Sequence, residues 1–187
     1  ASTQTLADQA SRFKSTFVTD IGDREVGLPL LVHRRCQNPM FDVSNSIAYA
    51  KQMVHAVGPK RPGSIGSALG QSRWIDINGD AETKWCPDEG DAVVQMLKEL
   101  VASGVTNPDV FIITPFKIVE QNMRRRLDSE TDLLRAFGVK LDEWWRDRVV
   151  TIHTFQGREA DTVILLLGAP KASQQRARQW AASPPNI

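Results

Sequence analysis

The sequence predicts an α/β fold, a mostly parallel sheet with helices on both faces. Three observations carry this. Short apolar runs of strand length recur, in GLPLLVHRR, DVFIITPF, VVTIH and TVILLLG. Between them, apolar residues return every three or four positions, the period of a helix with one buried face. Strands that alternate with helices build parallel sheets, because a parallel connection must cross back over a face and usually does so as a helix.

Taken in order, Gly27 to Arg35 reads as a strand of about five residues running into a basic pair. In NPMFDVSNSIAYAKQMV, Met40, Val43, Ile47, Ala50 and Val54 share a helical face, as one amphipathic helix or two short ones. Gly58 to Gly70, GPKRPGSIGSALG, reads as a loop from its glycines and prolines. SRWIDIN, Ser72 to Asn78, alternates apolar and polar and reads as a half-buried strand. Asp88 to Ser103 opens acidic, carries Val93, Met96, Leu97 and Leu100 on one face and stops at Gly104, which predicts a helix. Asp109 to Phe116 is a continuous apolar strand ended by Thr114 and Pro115; a helical pattern follows from Lys117 to about Phe137. VVTIH and TVILLLG are the last two strands, separated by a polar stretch holding His153, Thr154, Gln156, Gly157, Arg158, Glu159 and Asp161.

With 187 residues and 41% hydrophobic content, the expectation is one domain with a sizeable core. Lys and Arg number 23 against 22 Asp and Glu, so any attraction to an anion is local rather than molecular. Cys36 and Cys86 are far apart and lack metal-ligand or disulfide-framework spacing, which points to a reduced, cytoplasmic setting. The three histidines are scattered, so no metal is expected. No apolar stretch is long enough to span a bilayer, and the first residues lack the apolar segment of a signal peptide. The absence of a starting methionine and the apolar finish, WAASPPNI, read as a piece of something longer.

In open parallel sheets, ligands sit beyond the carboxyl ends of the strands. Three polar stretches are expected there: His33 to Arg35, Thr114 to Phe116 and His153 to Glu159. Arg34 and Arg35 each offer a planar fork of donors suited to phosphate, or equally a surface salt bridge. Gly157 allows a positive φ or a close ligand approach. Thr154 and Gln156 can donate to a phosphate or base, and Glu159 can accept from a ribose hydroxyl; a tight loop with Glu159 paired to Arg158 fits the same residues. Thr114 and Pro115 also read as a plain strand stop, and Arg124 to Arg126 as a solvated helix face. Asp76 and Asp80 can be imagined as a nuclease pair, though a strand and turn explain them without chemistry.

Together these stretches resemble the second RecA-like domain of superfamily 1 helicases, in the branch of the eukaryotic RNA-surveillance helicase and its bacterial relatives. IHTFQGREADTVIL resembles motif V, a Phe-Gln-Gly-x-Glu-x-Asp core between two strands, and matches it at Phe155, Gln156, Gly157, Glu159 and Asp161. HRRCQNPMFDVSNSIAY resembles motif IV, with Arg35 at the motif arginine, Asn45 at the asparagine and Tyr49 at the tyrosine. Arg34 replaces the motif's tyrosine, and Cys36, Gln37 and Asn38 replace its Met-His-Pro; HRRC-x-x-PM is a form expected among bacterial members. IITPFKIVEQ is similar to the family's Ile-x-Thr-Pro-Tyr-x-x-Gln, with Val119 in place of the glutamine.

The resemblance implies a three-layer α/β/α RecA-like domain. It implies that ATP with Mg²⁺ binds in a cleft between this domain and an N-terminal RecA-like domain of the same polypeptide. That first domain would hold most of the nucleotide, because no GxxxxGK[ST] phosphate loop occurs here. Arg35 would act as an arginine finger on the γ-phosphate, with Gln156, Gly157 and Glu159 at the ribose or nucleotide edge. Thr114, Pro115, His153 and Thr154 would contact single-stranded DNA or RNA, with Phe116 stacking on a base. Motif VI would follow Pro185 and Asn186. Residues 1–187 alone would not hydrolyse ATP. The alternative is a non-catalytic RecA-like module that docks nucleic acid or protein.

Overall fold

The chain begins with helix α1, Thr3–Ala10, followed by two antiparallel strands, β1 (Lys14–Phe17) and β2 (Arg24–Gly27), in register from Lys14 with Gly27 to Phe17 with Arg24. Asp8 on α1 accepts the Gly27 backbone N–H at 2.9 Å, which ties helix to hairpin. The computed structural model describes residues 3–18, 22–27, 31–58, 63–81, 83–139 and 144–182. It divides into two compact units, Ala1–Arg61 and Pro62–Ile187.

The rest of the first unit is a small βαβ arrangement. Strand β3 (Val32–His33), helix α2 (Met40–Ala48) and strand β4 (Val54–His55) follow in order, and the two strands pair in parallel, Val32 with Val54 and His33 with His55. The described part of the strand expected from Gly27 to Arg35 is thus two residues long; positions 28–30 lie outside the described residues. The face expected to bury α2 is corrected. Met40, Val43 and Ile47 are exposed, and Phe41 and Asn45 point inward. Phe41 lies against the rings of His33 and His55, at centroid distances of 5.3 and 4.7 Å. The Asn45 side chain accepts from Met53 N–H at 2.9 Å and donates to Met53 O at 3.1 Å. Polar pairing by Asn45 fixes the rotation of α2, and an apolar stripe count is blind to that.

In the second unit, helices α3 (Ser64–Leu69) and α4 (Pro87–Ala102) precede strand β5 (Val110–Thr114). Helices α5 (Lys117–Asp128), α6 (Thr131–Ala136) and α7 (Trp144–Arg148) lead to strand β6 (Val149–Thr151). A helical turn, α8 (Ile152–Phe155), strand β7 (Thr162–Leu165), a 3-10 turn (Ala172–Gln174) and helix α9 (Gln175–Ala181) complete it. The sheet order is β6-β5-β7, all parallel, with Ile112 paired to both Val149 and Ile164. The fold is α/β with a mostly parallel sheet, as the sequence predicts.

Helix α4 ends where expected, and its closing geometry explains the glycine. Gly104 takes φ +74°, its N–H reaches Val101 O at 2.9 Å and Val105 N–H reaches Leu100 O at 3.0 Å, the paired closure that needs a left-handed residue. Four expectations are corrected. The 58–70 loop contains α3, which buries Ile65; positions 59–62 lie outside the described residues. Residues 72–80 form no strand, and Trp74 is exposed: alternation marks a half-buried surface, but a strand needs a partner ladder. The helix expected to run to Phe137 breaks after Asp128, where the Ser129 hydroxyl donates back to Arg126 O at 2.7 Å. VVTIH leaves the sheet at Thr151, whose hydroxyl accepts the Thr154 N–H at 3.3 Å and caps α8.

Val110, Ile112 and Thr114 are buried on one face of β5, and Val110 and Ile112 belong to one core cluster with buried residues of α4, α5 and α7. The opposite face of β5 carries Phe111, and among the described residues it is crossed by the segment that joins β6 to β7, with Phe155 packed on Phe111 at 4.9 Å. Val163 and Leu165 on β7 share that face and are 41% and 50% exposed.

Candidate nucleotide and single-strand site

The two halves of the expected site fall in different units. Arg35 stands exposed in the turn between β3 and α2 of the first unit. Gln156, Gly157 and Glu159 stand exposed in the second. Gly157 has φ +84°, and a Cβ placed there would meet nothing within 4 Å. Conformation, not crowding by the protein, demands glycine, and the space above it is open to a ligand edge.

The polar stretch does not lie wholly at the carboxyl end of the sheet. It leaves β6 at that end with His153 and Thr154, both exposed, then crosses β5 and finishes at the amino end. There Asp161 N–H donates to Asp109 Oδ2 at 2.9 Å and Thr162 N–H to Asp109 O at 3.2 Å. Arg158 and Glu159 line an open depression of about 420 Å³ with Asp109, Phe111, Asp147 and Arg148. Its guanidinium groups are engaged: Arg148 pairs with Asp109 at 2.5 Å and lies over the Phe111 ring at 4.7 Å, and Arg158 donates to Asp147 O at 3.2 Å. Burial pushes Asp109 up, but the Asp161 N–H and Arg148 outweigh it and hold the carboxyl below its usual range. With three carboxylates in its lining and one of its two guanidinium groups paired to Asp109, the depression is ill suited to phosphate. The crossing is short because β6 and β7 flank a single strand, and periodicity cannot foresee it.

Thr114, Pro115 and Phe116, expected at the single strand, are buried in this unit. Phe116, 8% exposed, belongs to the core, with Trp180 stacked on it at 5.9 Å and the Lys84 ammonium 5.1 Å from its ring centre. The Thr114 hydroxyl accepts the Phe116 N–H at 3.4 Å. What is presented at the carboxyl end is Trp180, 47% exposed and 6.4 Å from the His153 ring. Sequence reading missed Trp180 and Lys84. The one available signal was a tryptophan in an otherwise polar segment, QQRARQW.

Arg124 and Arg126 are likewise not a solvated face. Arg124 pairs with buried Glu120 at 2.8 Å and donates to Val149 O at 2.8 Å and Arg146 O at 2.9 Å, while Arg126 pairs with Asp91 and Glu130, each at 2.7 Å. Asp80 pairs with Lys171 at 2.9 Å. Among the described residues, no three His, Cys, Asp or Glu stand together to hold a metal ion, and no helix is long and apolar enough to cross a membrane.

A family of AAA domains matches residues 30–175. The chain belongs to this AAA domain family. The family occurs in superfamily 1 helicase-like proteins, and this AAA domain is helicase-like and nucleotide-binding in type. Its match spans both units, so Arg35 and the 152–161 segment fall within one family region. Neither a curated protein nor a solved structure matches the chain.

Proposed function

We propose that this AAA domain is the second RecA-like domain of an ATP-dependent superfamily 1 helicase, of the RNA-surveillance branch and its bacterial relatives. The observation that carries the reading is the 152–161 segment: Gln156 and Glu159 are exposed on either side of Gly157, which leaves open space above its backbone. Those groups suit the edge of a nucleotide held mainly by another domain. ATP, bound with Mg²⁺ in the cleft to that N-terminal domain, supplies the transferable γ-phosphoryl group. Arg35 neutralises charge on it as an arginine finger, Glu159 accepts from the ribose, and Gln156 donates.

The single-stranded track runs over the carboxyl end of β5 and β6. His153 and Thr154 contact its backbone, and Trp180 offers a ring face to a base. The test is ATP turnover by the parent polypeptide without nucleic acid, with single-stranded DNA and with single-stranded RNA. One polymer is expected to stimulate turnover strongly, and residues 1–187 alone are expected to show none. Turnover by a clean preparation of those residues overturns the reading. A second reading, a non-catalytic docking module, is favoured by the exposed Val163 and Leu165 and would be supported by a parent that neither hydrolyses ATP nor responds to either polymer.

A further inference from the structure

The turn that carries Arg34 and Arg35 is held at the backbone of one residue, Cys36, by two imidazoles. Cys36 N–H donates to His33 Nε2 at 2.7 Å. Cys36 O lies 3.1 Å from His55 Nε2. An amide N–H can only donate and a carbonyl can only accept, so His33 Nε2 carries no hydrogen and His55 Nε2 carries one. The rings present opposite faces of the same chemistry. They are register partners on the parallel strands β3 and β4, and Phe41 of α2 packs on both.

We infer that His33 and His55 are positioning residues: an imidazole clamp on the Cys36 backbone, one ring on the peptide before its Cα and one on the peptide after it, that fixes the turn bearing Arg35. This rests on the arginine-finger reading of Arg35. A finger must place its guanidinium on a developing charge, and a misplacement of about 1 Å can cost on the order of a hundredfold in rate. Arg35 sits on a connection of a few residues between a two-residue strand and a helix, so its direction follows the backbone of that connection. The clamp binds that backbone one residue beyond Arg35, from both sides. The neighbouring polar pairings, Asn45 with Met53 and the Gln37 amide donating to Gly58 O at 2.7 Å, brace the same small βαβ frame. Supporting hydrogen bonds behind a reacting group are what keep it in productive geometry.

Two experiments decide it. In the 187-residue chain at neutral pH, histidine ¹⁵N spectra are expected to show Nε2 unprotonated in His33 and protonated in His55. Exchange of the Cys36 amide hydrogen is expected to be slower than in His33→Phe by about tenfold, the scale of one net hydrogen bond. His33→Phe keeps a ring against Phe41 but loses the acceptor; His33→Gln keeps a carbonyl acceptor and is expected to retain the protection. A protonated Nε2 in His33, or equal exchange in wild type and His33→Phe, overturns the clamp. In the parent polypeptide, His33→Phe and His55→Phe are expected to lower kcat roughly tenfold to a hundredfold with KM for ATP unchanged. The Gln variants restore it, and neither Phe change costs more in an Arg35→Ala background. Full additivity there sinks the positioning role. If Arg35→Ala itself leaves turnover intact, the finger reading fails, and the clamp stands or falls on the two spectroscopic results.

Discussion

Gly168 and Glu89 show how single residues hold the carboxyl end of the second unit. Gly168 has φ +66°, and a Cβ there would lie 2.5 Å from Lys84 O and 2.8 Å from Val119 Cγ2. Gly168→Ala is therefore expected to cost about 2–4 kcal/mol in denaturant unfolding, from left-handed strain plus overpacking; a loss under about 0.5 kcal/mol would show that the backbone there yields freely. Glu89 accepts Gly168 N–H at 2.8 Å, and burial pushes its carboxyl up despite that bond. A raised carboxylate stabilises below its unfolded value and loses that contribution as pH rises through its folded value. Glu89→Gln keeps an acceptor without the charge, so it should equal or exceed wild-type stability at pH 7 and converge with it near pH 4. Glu89→Ala strands the Gly168 donor and should be destabilised by about 1–3 kcal/mol. For function, Arg35→Ala in the parent should cut turnover about a thousandfold or more while ATP still binds, measured by steady-state hydrolysis beside nucleotide titration. Trp180→Ala should weaken single-strand affinity by about 1–3 kcal/mol, the worth of one base stack, in a binding titration.

At the scale of elements, α5 is secured by charge inside the fold. Glu120, 2% exposed, lies 2.8 Å from both Lys117 and Arg124, and Arg124 in turn holds the Val149 carbonyl at the start of β6. Glu120→Ala removes the carboxylate shared by Lys117 and Arg124, and a loss of about 1–3 kcal/mol is expected by denaturant unfolding, since Arg124 keeps its carbonyl partners but loses its charged one. The elements legible in sequence were those whose signal is local and repeated. Helix α4 has an acidic first turn, a stripe and a glycine stop; β5 and β7 are apolar runs with breakers beside them. The stretch from Phe155 to Asp161 was legible as a polar connection, and Gly157 has the positive φ allowed for it. Its path was not, because whether a ten-residue connection stays at one sheet end or crosses a face depends on strand order. SRWIDIN failed for a related reason: its alternation found no partner strand.

For the whole molecule, acid stability follows from carboxylates distributed over the second unit. Arg126, with Lys98, holds Glu130 below its usual range against the effect of burial, as the Asp161 N–H and Arg148 do for Asp109. A depressed carboxylate stabilises above its unfolded value, about 4, and the contribution is lost as pH falls through the folded one. The denaturation midpoint should drop below about pH 4, and Asp109→Asn with Glu130→Gln should flatten that drop in a pH series. The α/β class, the mostly parallel sheet and the likeness to a helicase-like domain could be read from the sequence. These are properties of neighbouring residues, readable wherever period and spacing persist. Tertiary structure alone decided that Phe116 is core and Trp180 surface, that Arg124 and Arg126 are paired, and that His33 and His55 meet at the Cys36 backbone. Burial and partnership are set by residues distant in the chain, and no local pattern records which of them will meet.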